Sequence, residues 1–165
     1  MTVLSDSSPL ITLAKTGYLD LLHQLYETVT ITPEVYAEIV VAGAGLAGAS
    51  QVAAAKWIHI QPVRRPDNLA SAQQRSGLGM GEVSIITLGH ELKADVLLMD
   101  DLKARKHASE EGLTVLGCMG VLHDAFGLKL LPDLRAAYRR LLDSGAYVDR
   151  AMLENILKML RLPPL

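Results

Sequence analysis

The sequence predicts a three-layer α/β/α domain with a mostly parallel five-stranded sheet, because short apolar runs alternate with helical patterns along the chain. The run Val96–Met99 is apolar without interruption, as in strands that are covered on both faces. It ends on Asp100 and Asp101, and open α/β sheets place their chemistry at the carboxyl ends of such strands. The 165 residues suffice for one domain, so we expect a single domain over 1–165 with C-terminal helices, 133–162, packed on it.

Five segments have the composition of strands, being short, apolar or β-branched, and bounded by polar or turn residues. The predicted strands are Thr2–Leu4, Thr28–Ile31, Ile58–Gln61, Val96–Met99 and Leu113–Leu116. The segments between them and after the last one are predicted to be helical. An exception is the polar connection 64–79, which is basic and contains glycine, and which we expect to stay exposed.

The composition indicates a globular chain, with half of the residues apolar and a mean hydropathy of +0.24. No apolar run approaches the roughly 20 residues of a membrane helix, and no signal peptide is visible. Cys118 is the single cysteine, which excludes an internal disulfide and suits a reducing cytosol. We therefore expect a cytoplasmic protein without a membrane segment. The net charge of −2 gives no argument for binding nucleic acid, so such a partner would need a local basic surface.

The segment Gly43–Gly48 matches the G-x-G-x-x-G pattern of dinucleotide-binding proteins. The pattern here follows a predicted helix instead of the first strand of a βαβ unit, and the next strand ends without the acid that binds ribose. The segment therefore indicates a glycine-rich loop between two helices.

Four acids stand where each has an ordinary explanation. Asp6 follows the first strand and has the position of a helix N-cap, and Glu82 lies in the first turn of a helix, where the dipole favours an acid. Glu38 lies on a helix and is either solvated, which is the favoured interpretation, or turned towards a cleft, and Asp100 ends a strand. Taken together, they are hard oxygen donors near one edge of a sheet, which suit Mg²⁺ or Mn²⁺ and not zinc. The histidines show no paired ligand spacing.

Five motifs in the same order resemble those of PIN-domain proteins, and most closely the small prokaryotic branch related to VapC toxins. The motifs are Leu4–Lys15, Pro33-x-Val35-x-x-Glu38, Gly81–Glu82, Leu97–Arg105 and Gly117–Leu122. Their order spans nearly the whole chain. The resemblance implies a PIN-like fold and a carboxylate quartet that binds divalent metal and hydrolyses phosphodiesters, as in flap and RNase H-like nucleases.

The resemblance assigns the catalytic quartet to Asp6, Glu38, Glu82 and Asp100. The third acid is commonly Asp in VapC toxins, so Glu82 reaches one methylene further. The metal ligands are expected among Asp6, Glu82, Asp100 and its neighbour Asp101. Asp101 is also placed to cap the helix that follows, which is the interpretation favoured by the alternation of neighbouring residues at a strand end.

The residues expected to contact the substrate are Ser7 and Ser8, beside the first acid, and Arg105. Cys118 stands where relatives often carry a hydroxyl. Further basic residues that are plausible contacts to a nucleic-acid backbone are Arg64, Arg65, Arg75, Lys103 and Lys106. A solvated surface explains these equally well.

The expected function is a metal-dependent endoribonuclease that acts on RNA with Mg²⁺ or Mn²⁺, with the toxin of a toxin–antitoxin pair as one form of it and an antitoxin protein as its partner. The alternative is a catalytically silent PIN scaffold that binds RNA or a protein. A phosphoacceptor receiver fits less well, because it needs an acid pair after its first strand. A homodimer is expected from the habits of the family and from an apolar stripe formed by Leu153, Ile156, Leu157 and Leu160.

Overall fold

Five short parallel strands form the centre of the protein in a computed structural model that describes residues 1–165. The strands are β1 (Val3–Ser5), β2 (Val29–Ile31), β3 (Ile58–Ile60), β4 (Val96–Leu98) and β5 (Val115–Leu116). They are hydrogen-bonded in the order β3-β2-β1-β4-β5, and each neighbouring pair is parallel. The predicted five-stranded α/β/α fold is therefore confirmed, and each predicted strand overlaps an observed one.

Ten α-helices flank this sheet. They are α1 (Ser7–Thr16), α2 (Asp20–Tyr26), α3 (Pro33–Tyr36), α4 (Ala49–Ala54), α5 (Leu69–Ser76), α6 (Met80–Leu92), α7 (Leu102–Glu110), α8 (Cys118–Gly127), α9 (Leu134–Asp143) and α10 (Arg150–Met159). A π-helical turn, Ala37–Val41, continues α3, and a 3₁₀ turn, Pro66–Asn68, precedes α5. None of the helices has the length and apolarity that a membrane crossing requires.

The strand order places a switch point at the centre of the sheet. The chain runs outward from β1 to β2 and β3, then returns to β4 on the other side of β1. Ser5 pairs with Leu98, and the N–H of Asp6 donates to the Leu98 carbonyl at 2.9 Å. The carboxyl ends of β1 and β4 therefore lie side by side, which is where ligands bind in open parallel sheets.

The core is one cluster of 35 buried apolar residues, built mainly from aliphatic side chains of the strands and helices. The last two helices take part in it, with Tyr138 and Leu141 from α9 and Leu153 and Leu157 from α10 fully buried. Two members of the apolar stripe that motivated the homodimer thus pack inside their own chain. The stripe is not a free dimer surface, so it gives no support to a homodimer.

Two segments differ from the expectation and one agrees with it. Most residues of the connection 64–79 are exposed, as expected, but it forms the 3₁₀ turn and α5, which were not predicted. The π-helical turn was also not predicted. Gly43–Gly48 does form a loop between two helices, between the π-helical turn and α4, and this agrees with the rejection of a dinucleotide site.

Candidate metal centre at the switch point of the sheet

Asp6 is the most enclosed acid of the protein. It follows β1 directly and is 3% exposed. It occupies the N-cap position of α1, but its side chain makes no capping hydrogen bond, so the capping explanation is wrong. The pKa of Asp6 is raised to about 7, chiefly by burial and also by the neighbouring carboxylates of Glu82 and Glu38, against hydrogen bonds from Ser7 that lower it.

Glu38 is drawn to the same edge by two donors from distant parts of the chain. Its Oε1 accepts the Gly81 N–H at 2.9 Å, and its Oε2 accepts the Ser7 hydroxyl at 2.5 Å. Ser7 Oγ also lies 3.4 Å from Asp6 Oδ1, so one hydroxyl connects two acids. Glu38 is exposed, as expected, and these two hydrogen bonds also hold its carboxylate in place.

Gly81 permits this approach because it has no side chain. A Cβ atom at this position would lie 2.6 Å from both carboxylate oxygens of Glu38, which is far inside van der Waals contact. Gly81 is held against α3 by a buried hydroxyl pair, in which Thr32 Oγ1 and Ser84 Oγ are 2.6 Å apart. Ser84 Oγ in turn donates to the Gly81 carbonyl at 2.7 Å. The start of α6 is thereby fixed beside Glu38.

Glu82 follows Gly81, and its position allows both roles considered for it, as the acid of the first helical turn and as a member of the acidic cluster. Its Oε2 accepts the Gly79 N–H at 2.8 Å, which satisfies a free donor at the start of α6. Partial burial raises the pKa of Glu82, and the carboxylates of Asp101 and Glu38 raise it further. Glu82 thus stabilises its helix and also faces two other acids.

Asp100 is held by the start of α8. Its Oδ1 accepts the Cys118 N–H at 2.8 Å, and its Oδ2 lies 3.0 Å from the Cys118 thiol, which donates to it. Burial raises the pKa of Cys118 well above its ordinary value, and Asp100 raises it further, so the thiol stays protonated and able to donate. A Cβ at Gly117 would lie 2.9 Å from Asp100 Oδ1 and 3.3 Å from an Arg105 guanidinium nitrogen. Arg105 is therefore close to this acid.

Asp101 caps α7, as predicted. Its Oδ1 accepts the Ala104 N–H at 2.9 Å, and the residue is exposed. The two neighbouring aspartates thus differ, since Asp100 bonds to the start of α8 and Asp101 to the start of its own helix.

The acids share one edge of the sheet, but each has protein donors of its own. No three His, Cys, Asp or Glu side chains converge closely enough to form a ready metal centre. The donor set still fits a hard divalent cation, because it consists of carboxylates, and the buried Asp6 carries a raised pKa without an ion-pair partner among the basic residues. A cation at this edge would offset the repulsion between neighbouring carboxylates, which contributes to the raised pKa of Asp6 and of Glu82.

Sequence reasoning missed the residues that support the acids. Ser7 was expected to contact the substrate, whereas its hydroxyl connects Asp6 and Glu38. Gly81 was quoted only as part of a motif, and the pair of Thr32 and Ser84 was not considered. A small residue directly before a candidate acid was the available signal, but the partner on α3 becomes evident only in three dimensions.

A cleft of about 590 Å³ opens beside Asp100 and Asp101. Its polar lining includes Ser8 and Thr12 of α1 and Lys103 of α7, and Cys118 of α8 also lines it. Its apolar or aromatic lining includes Leu141, Ala146, Tyr147 and Val148. Ser8 thus lines the same cleft as Asp100, whereas Ser7 does not line it.

Fold and site together define an α/β/α domain that carries carboxylates at the switch point of a parallel sheet. A family model described as PIN domain matches residues 2–161, so the chain belongs to the PIN-domain family. PIN domains are typically nucleases that use divalent metal ions. The match does not distinguish the VapC-like branch, which stays a prediction.

Among solved structures, the chain is similar to the crystal structure of PAE2754 from Pyrobaculum aerophilum, with a TM-score of 0.54 and 15% sequence identity. The similarity covers 72% of this chain and 90% of the archaeal one. At this identity the likeness supports the fold alone. No curated protein sequence is significantly similar to this chain.

Proposed function

We propose that this PIN domain is an endoribonuclease that requires Mg²⁺ or Mn²⁺. The observation that carries the proposal is the setting of Asp6, which is 3% exposed and has a pKa of about 7 because it is buried and faces Glu82 and Glu38. A fold does not gain stability from a buried acid surrounded by other acids. Such an arrangement is typical of a site that serves a ligand, and perturbed pKa values cluster at functional sites.

In this proposal Asp6, Glu82 and Asp100 hold the metal. Asp101 is a further candidate, because only its Oδ1 accepts the capping hydrogen bond from Ala104. When bound, a divalent metal orients and activates water and offsets charge on the phosphate and the leaving oxygen. Glu38 completes the quartet, and hydrogen bonds from Ser7 and Gly81 hold its carboxylate at this edge of the sheet. Cys118 orients Asp100 through two hydrogen bonds. Arg105 is a candidate contact to a phosphate oxygen.

The test is cleavage of a single-stranded RNA oligomer by the purified protein with Mg²⁺, Mn²⁺ or EDTA. We expect cleavage with either metal, none with EDTA, and none for Glu82→Gln. Glu110→Gln is the matched control, because Glu110 is an exposed acid on α7 whose only ion pair is a surface contact with Lys106. Cleavage that persists in EDTA, or wild-type cleavage by Glu82→Gln, would contradict the proposal.

A silent scaffold is the second candidate, and one observation favours it. The acids are engaged by the protein's own donors, and no three ligating side chains converge. A scaffold would bind RNA or a protein without cutting, so a binding assay beside the cleavage assay separates the two functions.

The remaining proposals concern the cellular compartment, a protein partner and the oligomeric state. The cytoplasm is the compartment we propose, since RNA is the substrate. An antitoxin partner is tested by co-expressing a short reading frame from directly upstream and measuring whether its product suppresses cleavage. The proposal of a homodimer rests only on the resemblance to the family. Light scattering at a protein concentration of tens of micromolar tests it by measuring the molar mass.

A further inference from the structure

Tyr147 is the most exposed of the large hydrophobic side chains, at 87% exposed. It lies in the turn between α9 and α10, after Gly145, whose φ of +78° helps the chain to reverse there. Despite its exposure it lines the cleft of about 590 Å³ that also contains Asp100 and Asp101. The Tyr147 ring is therefore largely open to solvent and lines the same cleft as the candidate metal ligand Asp100.

The lining of this cleft combines two kinds of residue. The polar residues include Asp100, Asp101 and Ser8, together with the cation of Lys103. The apolar and aromatic residues include Tyr147 with Ala146 and Val148, and Leu102, which is 60% exposed. An occupant that matches both kinds has an anionic group, which Lys103 and a cation at the acids would hold, and a flat apolar group that reaches Tyr147.

A nucleotide of single-stranded RNA has this composition, because each phosphate is joined through one sugar to a planar base. The volume lies within the roughly 300–1,000 Å³ of pockets that hold small molecules. Proteins that bind single strands commonly stack bases on exposed aromatic rings. A base of a duplex is already stacked and paired, so it does not present its face to such a ring.

We infer that Tyr147 is the stacking platform for an unpaired base next to the phosphate bound at the acids, and that the cleft selects single-stranded over duplex RNA. This inference rests on the proposed function, since it places the scissile phosphate at the metal centre. Stacking accepts any base, so the subsite gives strand selectivity with little base preference.

The experiment measures binding of a fluorescein-labelled single-stranded RNA 10-mer by anisotropy, in Ca²⁺, with the integrity of the RNA checked on a gel. Tyr147→Ala is expected to raise Kd by about 5- to 150-fold, the range that corresponds to the loss of one stacked base. Tyr147→Phe should retain most of the affinity, because the ring and not the hydroxyl does the stacking. Met159→Ala is the matched control, since Met159 is 82% exposed but does not line the cleft.

An abasic scan identifies the base. One position of the oligomer should show a loss of affinity with the wild-type protein and no further loss with Tyr147→Ala, because the base and the ring then act as one interaction. The affinity ratio of single-stranded to duplex RNA should also fall in Tyr147→Ala. Melting curves of each variant check the fold.

Three results would overturn the inference in distinguishable ways. Wild-type protein that neither binds nor cuts the RNA removes the proposed function, and the subsite with it. Wild-type binding with an unchanged Kd for Tyr147→Ala removes the subsite alone, and leaves the cleft to a side chain of a protein partner. Equal losses in Tyr147→Ala and Tyr147→Phe assign the effect to the hydroxyl and contradict stacking.

Discussion

At the scale of single residues, Asp6 connects the chemistry of the site with the stability of the fold. Its pKa is about 7 in the folded protein against 3.8 for an ordinary Asp. Between these values the folded state holds a proton that the unfolded state has released. This contribution to stability is therefore fully present below about pH 4 and is lost as the pH rises to about 7.

The first prediction follows from this sign. In metal-free protein, the free energy of unfolding of wild type minus that of Asp6→Asn should fall between pH 4 and pH 7. The fall is a few kcal/mol at most, at about 1.4 kcal/mol per pKa unit. Urea titrations over this pH range measure it, with Asp143→Asn as an exposed control. A difference that stays constant with pH would show that Asp6 titrates normally.

The second prediction separates Asp100 from Asp101. Asp101→Ala removes the cap of α7 and should lower stability by about 1 kcal/mol while retaining much of the RNA cleavage. Asp100→Asn keeps an acceptor for the Cys118 N–H, so its stability should be close to wild type, and its metal affinity and cleavage should be lost. Calorimetric metal titration and melting curves of both variants decide the matter. Metal binding by Asp100→Asn together with none by Asp101→Ala would reverse the assignment.

At the scale of elements, the site depends on the close approach of the α6 start to the π-helical turn that carries Glu38. The third prediction is that Gly81→Ala displaces the Glu38 carboxylate, because the added Cβ would lie 2.6 Å from its oxygens. RNA cleavage should fall at least about 10-fold, since even small displacements of catalytic groups are costly. The assay is initial cleavage rate with a melting curve alongside.

Gly127→Ala is the matched control for this substitution. Gly127 ends α8 with open space around its Cα, so the alanine should be tolerated with unchanged cleavage. Wild-type rates in Gly81→Ala would mean that Glu38 does not need its observed position.

Some elements were predictable from the sequence and others were not, for physical reasons. The strands were found because they are short runs of apolar or β-branched residues between polar segments, and Val96–Leu98 near the centre of the sheet is the clearest case. Helix α5 was missed because Leu69 is its only buried residue, so it has no apolar stripe. The π-helical turn was missed because no sequence pattern separates it from an α-helix.

The same contrast holds for the site. Asp6 and Asp100 were predictable as neighbours, since both end strands of one sheet, and β1 pairs with β4. The position of Glu38 was not, because it depends on donors 31 and 43 residues away in the chain, Ser7 and Gly81. Contacts at such separations follow from the packing of helices and leave no local pattern.

At the scale of the whole molecule, the fold concentrates acids at one edge and places an aromatic turn beside them. The C-terminal helices are part of the core, with Leu153 and Leu157 buried in it. They also position Tyr147 at the cleft that reaches Asp100. If Tyr147 stacks a base as inferred, the last two helices help to hold the substrate as well as to stabilise the fold.

The central claim is that Asp6, Glu82 and Asp100 hold one metal ion and that Glu38 completes the quartet around it, and calorimetric titration of Mn²⁺ at pH 7.5 tests it most directly. We expect wild-type protein and Glu110→Gln to bind with equal affinity. Each of Asp6→Asn, Glu38→Gln, Glu82→Gln and Asp100→Asn should bind at least about 10-fold more weakly, a loss of about 1.4 kcal/mol or more. Melting curves establish that each variant is folded. Absence of Mn²⁺ binding by the wild-type protein, or undiminished binding by all four variants, would contradict the account.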